Sequence, residues 1–253
     1  MKFSANLGFL WTDRPLPDAI HAAKAAGFDA VELHWPYDVP AVDVARALRE
    51  TGLPCLGLNT RRGKVAKGEN GLSALPGRKT EAREAIDEAL DYAGAIGAAR
   101  VHVMAGNASG PQARDAFLAN LAHACDRAEP LGIGLLIEPL NHYDAPDYFL
   151  KTTTQAVEIL DDLGRDAVSL MFDCYHVQLM EGDLTNRLAT LLPRIGHVQV
   201  ASVPDRGPPD RGEVNYSHIF GLLDHLGYDR PLGAEYKPAE ATDDTLRWLR
   251  TMG

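Results

Sequence analysis

The sequence predicts a single (β/α)8 barrel of the α/β class over residues 1–253, and three observations carry that expectation. Short apolar runs alternate with longer amphipathic stretches from end to end, which is how repeated βα units feeding a parallel sheet read in sequence. Several amphipathic stretches stop at a glycine just before the next apolar run, at Gly27, Gly52, Gly97, Gly132, Gly164 and Gly227. The 253 residues also suit one barrel of about 250 residues, with no second domain required. An open doubly wound sheet would want a glycine-rich phosphate turn after its first strand. Gly8-Phe9-Leu10-Trp11 offers none.

In chain order, the strands are expected at residues 3–9, 30–35, 55–60, 100–106, 134–141, 168–174, 197–202 and 232–237. Helical stretches lie between them. The first is Ala-rich over residues 18–27, with Pro17 before it and Gly27 as its cap. Two connections are richer in Gly, Pro and charge than the rest, residues 61–77 after the third strand and 203–215 after the seventh. Both follow strand C-termini, the functional face of a barrel, and so are expected to be lid or substrate loops.

Composition narrows the function classes. With 45% hydrophobic and 24% charged residues the chain can bury a large core. A net charge of −10, from 25 basic and 35 acidic side chains, argues against nucleic-acid or anionic-membrane partners. Cys55, Cys125 and Cys174 are sparse and lack C-x-x-C spacing, which speaks against a disulfide scaffold or a zinc-thiolate site and fits a reducing cytoplasm. Residues 1–6 do not read as a signal peptide, and no apolar run approaches the roughly 18 residues of a membrane span. Homo-oligomerisation is left open.

Strand parity then singles out a polar set. Residues two apart share a strand face, so Glu138 points with Gly134 and Leu136 into the barrel, and Asp173 points with Met171. Gln199 points opposite to Val198 and Val200, and Glu235 opposite to Ala234. All four stand at or near the C-terminal ends of four consecutive strands. Three carboxylates so placed repel one another unless a cation balances them, and an all-oxygen ligand set calls for magnesium or manganese. Singly, each has a plainer explanation. A lone strand-end carboxylate usually pairs or caps, Gln199 could staple adjacent strands, and Lys237 could neutralise one carboxylate without a metal. His176 is a candidate for positioning substrate from the loop after Asp173, while His34 and His102 read as core or pocket-wall residues.

With these residues placed, the chain resembles the hydroxypyruvate isomerase family, a branch of the xylose-isomerase-like TIM barrels. The likeness spans nearly the whole length. It rests on FSAN at 3–6, GENGLSALPGR at 68–78, IEPLN at 137–141, FDCYHVQ at 172–178 with MEGD at 180–183, HVQ at 197–199, RGEVNY at 211–216 and EYKP at 235–238. The resemblance implies two acid/base glutamates, Glu138 and Glu235, and a divalent cation held by Glu138, Asp173, Gln199 and Glu235. Related sugar epimerases carry histidine where Gln199 stands, which favours the hydroxypyruvate branch. Isomerisation of 2-oxo-tetronate is a close alternative, and NHYDAPD at 141–147 looks more like the hydroxypyruvate enzymes.

The implied reaction interconverts hydroxypyruvate and 2-hydroxy-3-oxopropanoate through an enediolate. An anionic sugar acid then needs a cationic grip, for which the mouth loops offer Arg61, Arg62, Lys64, Lys67 and Arg78, then Arg206 and Arg211. Arg78 and one of the later arginines are the expected pair, with Lys237 nearby. Two other readings of a barrel remain. A nuclease of the endonuclease IV type would need more histidine ligands and a basic face, and a noncatalytic barrel would bind the sugar acid without turnover.

Overall fold

The strands are β1 (Phe3–Asn6), β2 (Ala30–Glu32), β3 (Leu58–Asn59), β4 (Arg100–His102), β5 (Gly134–Ile137), β6 (Val168–Asp173), β7 (Ile195–Val200) and β8 (Leu232–Ala234). In the computed structural model, which describes residues 1–252, they form one parallel sheet in the order β2-β1-β8-β7-β6-β5-β4-β3. The two ends of that order meet. Val31 and Cys55 form a parallel bridge, Leu56 N donates to Val31 O at 2.8 Å, and Leu33 N donates to Gly57 O at 2.9 Å. The sheet is thereby rolled into a barrel.

Helices α1 (Leu16–Ala26), α2 (Ala41–Thr51), α3 (Lys79–Ile96), α4 (Pro111–Ala128) and α5 (Thr153–Leu163) fill the first five crossovers. After β6 come α6 (Cys174–Met180) and α7 (Leu184–Leu191), then α8 (Tyr216–His225) after β7 and α9 (Arg247–Met252) after β8. Their inner faces carry small and branched side chains, such as Ala19, Ile20 and Ala23 on α1, so the helices can lie close against the sheet. Trp248 of α9 is buried edge-on against Phe3 and Tyr236, which fastens the last helix to the barrel. Among the described residues no helix is long and apolar enough to cross a membrane.

The glycine stops behave as read. Gly27 adopts a left-handed conformation and its N–H returns to Lys24 O and Ala23 O, closing α1. That helix starts at Leu16, so Pro17 lies inside its first turn, where a missing N–H costs nothing.

Most strands end earlier than expected. The C-terminal residues of the predicted runs leave the ladder to build the mouth, and Pro139, which has no N–H, follows closely on the end of β5. β7 instead starts two residues earlier, at Ile195. Gly196 lies inside it, where a Cβ would come within 2.7 Å of Leu136 on β5 and Ser169 on β6. A register shift between Leu170 and Met171 then sets Met171 opposite His197 and Asp173 opposite Gln199.

The loop at residues 61–77 is seated on the barrel. Gly71 pairs with Ala105, Ala74 N donates to Ala105 O at 2.7 Å, and Asn120 Nδ2 holds Ser73 O at 2.8 Å. Gly71 has φ 115°, and a Cβ on it would lie 2.7 Å from Gly106 N and 2.8 Å from Met104 O. Gly71→Ala should therefore destabilise the chain by about 1–3 kcal/mol, read as a lower urea midpoint. An unchanged midpoint would show that the loop is not seated there.

Candidate active site

The barrel mouth receives its polar groups from the ends of neighbouring strands. Glu138 follows β5, Asp173 ends β6, Gln199 lies near the end of β7, and Glu235 follows β8. Register keeps the last three in step, with Asp173 opposite Gln199 and Gln199 opposite Gly233. All four are buried. Glu138, Gln199 and Glu235 line one cavity together with Glu32, His34, His102 and His197.

Burial, then the negative charges of Glu235 and Asp173, hold the Glu138 carboxyl well above the usual carboxylate range. Asp173 is pushed up to about 7, chiefly by burial; Arg206 pulls it down, Glu235 pushes it up, and the N–H of Tyr175 adds a smaller downward pull. That N–H reaches Asp173 Oδ1 at 2.9 Å, which makes Asp173 the N-cap of α6.

Arg206 is the one cation inside the set. Its guanidinium lies 3.0 Å from Glu235 Oε1, 3.4 Å from Asp173 Oδ2 and 3.5 Å from Asp144 Oδ2, between the rings of Phe9 and Tyr175. Burial opposes its charge, but the surrounding carboxylates outweigh that and raise its pKa. One guanidinium against Glu138, Asp173 and Glu235 still leaves the cluster electrically short of positive charge. Lys237, expected at the substrate and otherwise the alternative neutraliser of a carboxylate, is exposed, and its Nζ lies 6.0 Å from the Phe9 ring. Arg206 occupies that role because its buried, left-handed backbone turns the side chain inward.

Two oxygens of the cavity lack a partner. Glu138 Oε1 and Gln199 Oε1 are both buried without a hydrogen-bond partner. Atoms of Glu138, Asp173 and His176 also come within 4.8 Å of one another, a grouping that could hold a metal ion.

His176 is nevertheless better suited to donate. It lies on the first turn of α6 and not in a loop, because β6 runs straight into that helix. The backbone N–H of Asn141 donates to its Nδ1 at 3.0 Å, so the neutral ring carries its proton on Nε2. That Nε2 faces Asp173 Oδ2 at 3.6 Å and Glu138 Oε1 at 4.0 Å. Burial, with Arg206 adding, keeps His176 well below its ordinary pKa and hence neutral. His102, 3.6 Å from Glu138 Oε2, is lowered to about 3, mainly by burial. His34 stands 3.4 Å from Glu235 Oε1.

The other arginines are placed differently. Arg78 is committed to Glu69 at 3.0 Å and to Glu81, and Arg211 to Asp205 at 3.0 Å, each within its own part of the mouth. Arg61 pairs with Glu88. Arg62 has no carboxylate within salt-bridge distance among the described residues and stacks 3.8 Å from the Trp35 ring, next to His34. Sequence reading passed over Glu32 and His197. Parity would have found both, since Glu32 shares a strand face with His34 and His197 with Gln199.

Residues 20–252 match the profile of the family described as Xylose isomerase-like TIM barrel. The chain is 42% identical over 253 residues to 2-oxo-tetronate isomerase of Cupriavidus necator, covering 98% of this chain and 97% of that one. It is 35% identical over 253 residues to hydroxypyruvate isomerase of Escherichia coli, covering 98% of each. Among solved structures, AP endonuclease, family 2 from Brucella melitensis superposes with a TM-score of 0.95 at 37% identity, over 99% of this chain and 98% of that one.

The raised carboxyl of Asp173 has a measurable sign. Between about pH 4 and pH 7 the folded chain keeps a proton that the unfolded chain has lost, so stability falls as pH rises through that window. Urea unfolding in EDTA should show a loss on the order of 1 kcal/mol per pH unit from pH 5 to pH 7. Added Mn²⁺ should reverse the trend by binding the ionised form. A flat profile in EDTA would contradict the buried-carboxyl assignment.

Proposed function

The chain belongs to the xylose isomerase-like TIM barrel family, and from that membership we propose that it is an isomerase of small sugar acids, interconverting hydroxypyruvate and 2-hydroxy-3-oxopropanoate through an enediolate. The observation that carries the reading is the pair Glu138 and Glu235 lining one buried cavity, with Asp173 and Gln199 on the strands between. An isomerase that moves a carbonyl to the adjacent carbon needs two proton carriers. Two carboxyls on one cavity meet that need.

Glu138, Asp173, Gln199 and Glu235 would hold a divalent cation, Mg²⁺ or Mn²⁺ by the hardness of their oxygens. Such an ion, when bound, stabilises the negative charge that develops on the enediolate oxygens, worth several kcal/mol. The chain's own groups do the remainder. One glutamate takes the proton from the carbon beside the carbonyl, and the other delivers a proton to the neighbouring carbon. His176 holds its proton on Nε2 and donates to a substrate oxygen. Neutral His102 walls the cavity without competing for the proton.

The substrate carboxylate falls to Arg62. Arg78 and Arg211 are already paired within their loops, and Arg206 serves the buried carboxylates. Arg62 is held on Trp35 with its donors free of any carboxylate.

A second substrate, 2-oxo-tetronate, is supported by the 42% identity to the Cupriavidus necator enzyme, a level matched by the 42% identity to the putative hydroxypyruvate isomerase of Homo sapiens. Nuclease activity is disfavoured by the net charge of −10. Three buried free cysteines suit a reducing compartment, and we place the protein in the cytoplasm.

Purified protein should convert hydroxypyruvate or 2-oxo-tetronate, lose activity in EDTA and regain it with Mg²⁺ or Mn²⁺. Glu138→Gln and Glu235→Gln should each cost about 10²–10⁴ in kcat; normal turnover by both would refute the two-glutamate mechanism. Arg62→Ala should raise KM for the acid about tenfold or more with kcat nearly kept, since it removes binding shared by ground and transition states. An unchanged KM would remove Arg62 from the site.

A further inference from the structure

Glu32 is a buried acid that the proposed chemistry does not use. It closes β2, and its carboxylate faces the same cavity as Gln199. Three neighbours hold it. Ser4 Oγ donates to Oε1, His197 Nε2 stands 3.1 Å from Oε1, and Gln199 Nε2 donates to Oε2 at 2.7 Å. Both of its carboxylate oxygens are thereby engaged as acceptors, Oε1 by Ser4 and Oε2 by Gln199.

That acceptor decides which end of the Gln199 amide faces the cavity. A glutamine amide presents an oxygen on one side and an NH₂ on the other, and the two ends have nearly the same shape. Left to itself beside Asp173 and Glu138, the amide would turn its NH₂ toward those carboxylates. A carboxylate fixed on the far side, already accepting from Ser4, takes the NH₂ instead. The carbonyl oxygen is then left looking into the cavity, and Gln199 Oε1 is indeed buried without a partner. β2 and β7 are not neighbours in the sheet, so the contact crosses the barrel interior. Gly233 leaves room for it, since a Cβ there would come within 2.5 Å of Glu32 Oε1 and 2.7 Å of Gln199 Cγ.

We propose that Glu32, braced by Ser4 and His197, is a positioning residue that locks the Gln199 amide with its oxygen toward a divalent cation. The inference rests on the metal reading above and extends it to a residue that would not touch the ion. Support of this kind is typically worth 10–100-fold in metal affinity.

The test is a double-mutant cycle read by electron paramagnetic resonance of free Mn²⁺, which reports affinity without turnover. Glu32→Gln should weaken Mn²⁺ binding by about 10–100-fold in the parent chain. In a Gln199→Ala background, where there is no amide to orient, the same change should cost less than about threefold. Equal weakening in both backgrounds would mean that Glu32 acts only through its charge, and would overturn the proposal. So would parent-like affinity of the Glu32→Gln chain. Should Glu32→Gln fail to fold, Glu32→Asp keeps the charge but withdraws the carboxylate by one methylene, and the same two-background comparison applies. A parent chain that binds no Mn²⁺ overturns the metal reading and this inference together, whereas tight parent binding with an indifferent Glu32→Gln overturns this inference alone.

Discussion

Glu138, Asp173 and Glu235 share a buried mouth with one guanidinium, that of Arg206, and the remaining features of the site follow from that shortage of positive charge. Coulomb repulsion between carboxylates is strong where water is excluded. Protonation relieves part of it, as the raised carboxyls of Glu138 and Asp173 show. Two of the nearby imidazoles cannot help, since burial keeps His102 and His176 neutral. Arg206 supplies what it can from a left-handed backbone position, clasped between Phe9 and Tyr175. A divalent ion would complete the balance and release the bound protons. Metal binding, pH dependence and the readiness of Glu138 to exchange a proton then share one electrostatic origin.

The barrel makes this arrangement affordable by spending its hydrogen bonds elsewhere. Short ladders and buried helix faces supply the stability, so the residues just past the strand ends are free to turn inward. Small residues keep the interior open where polar groups cross it. Gly196 makes room for Leu136 and Ser169, and Gly233 for the contact between Glu32 and Gln199. The third-strand loop is pinned at Gly71 against the backbone near Gly106, which keeps that part of the mouth fixed beside Arg62 and Trp35.

Much of this was legible in the chain itself. Eight apolar runs with glycine stops such as Gly27 are local signals, and local signals survive without knowledge of the fold. Parity alone set Glu138, Asp173, Gln199 and Glu235 on the inward faces of their strands, because a strand has only two faces. Strand ends were overrun, since nothing in an apolar run says where pairing stops. His176 reads as a loop residue in the sequence because nothing there shows that Asp173, at the very end of β6, is also an N-cap that leaves no gap between strand and helix. The arginines were the least legible. Whether Arg78, Arg206, Arg211 or Arg62 is spoken for depends on partners set by tertiary packing, and long side chains reach across elements in ways spacing does not encode.

The central claim is that the carboxylate set is completed by one divalent ion with Gln199 among its ligands. Anomalous diffraction at the manganese edge from crystals soaked in Mn²⁺ tests it most directly. A single peak bounded by oxygens of Glu138, Asp173, Gln199 and Glu235, with His176 held off as a donor, is the predicted result. A mouth with no peak, or an ion taken by His176 while Gln199 Oε1 stays unengaged, would contradict the account.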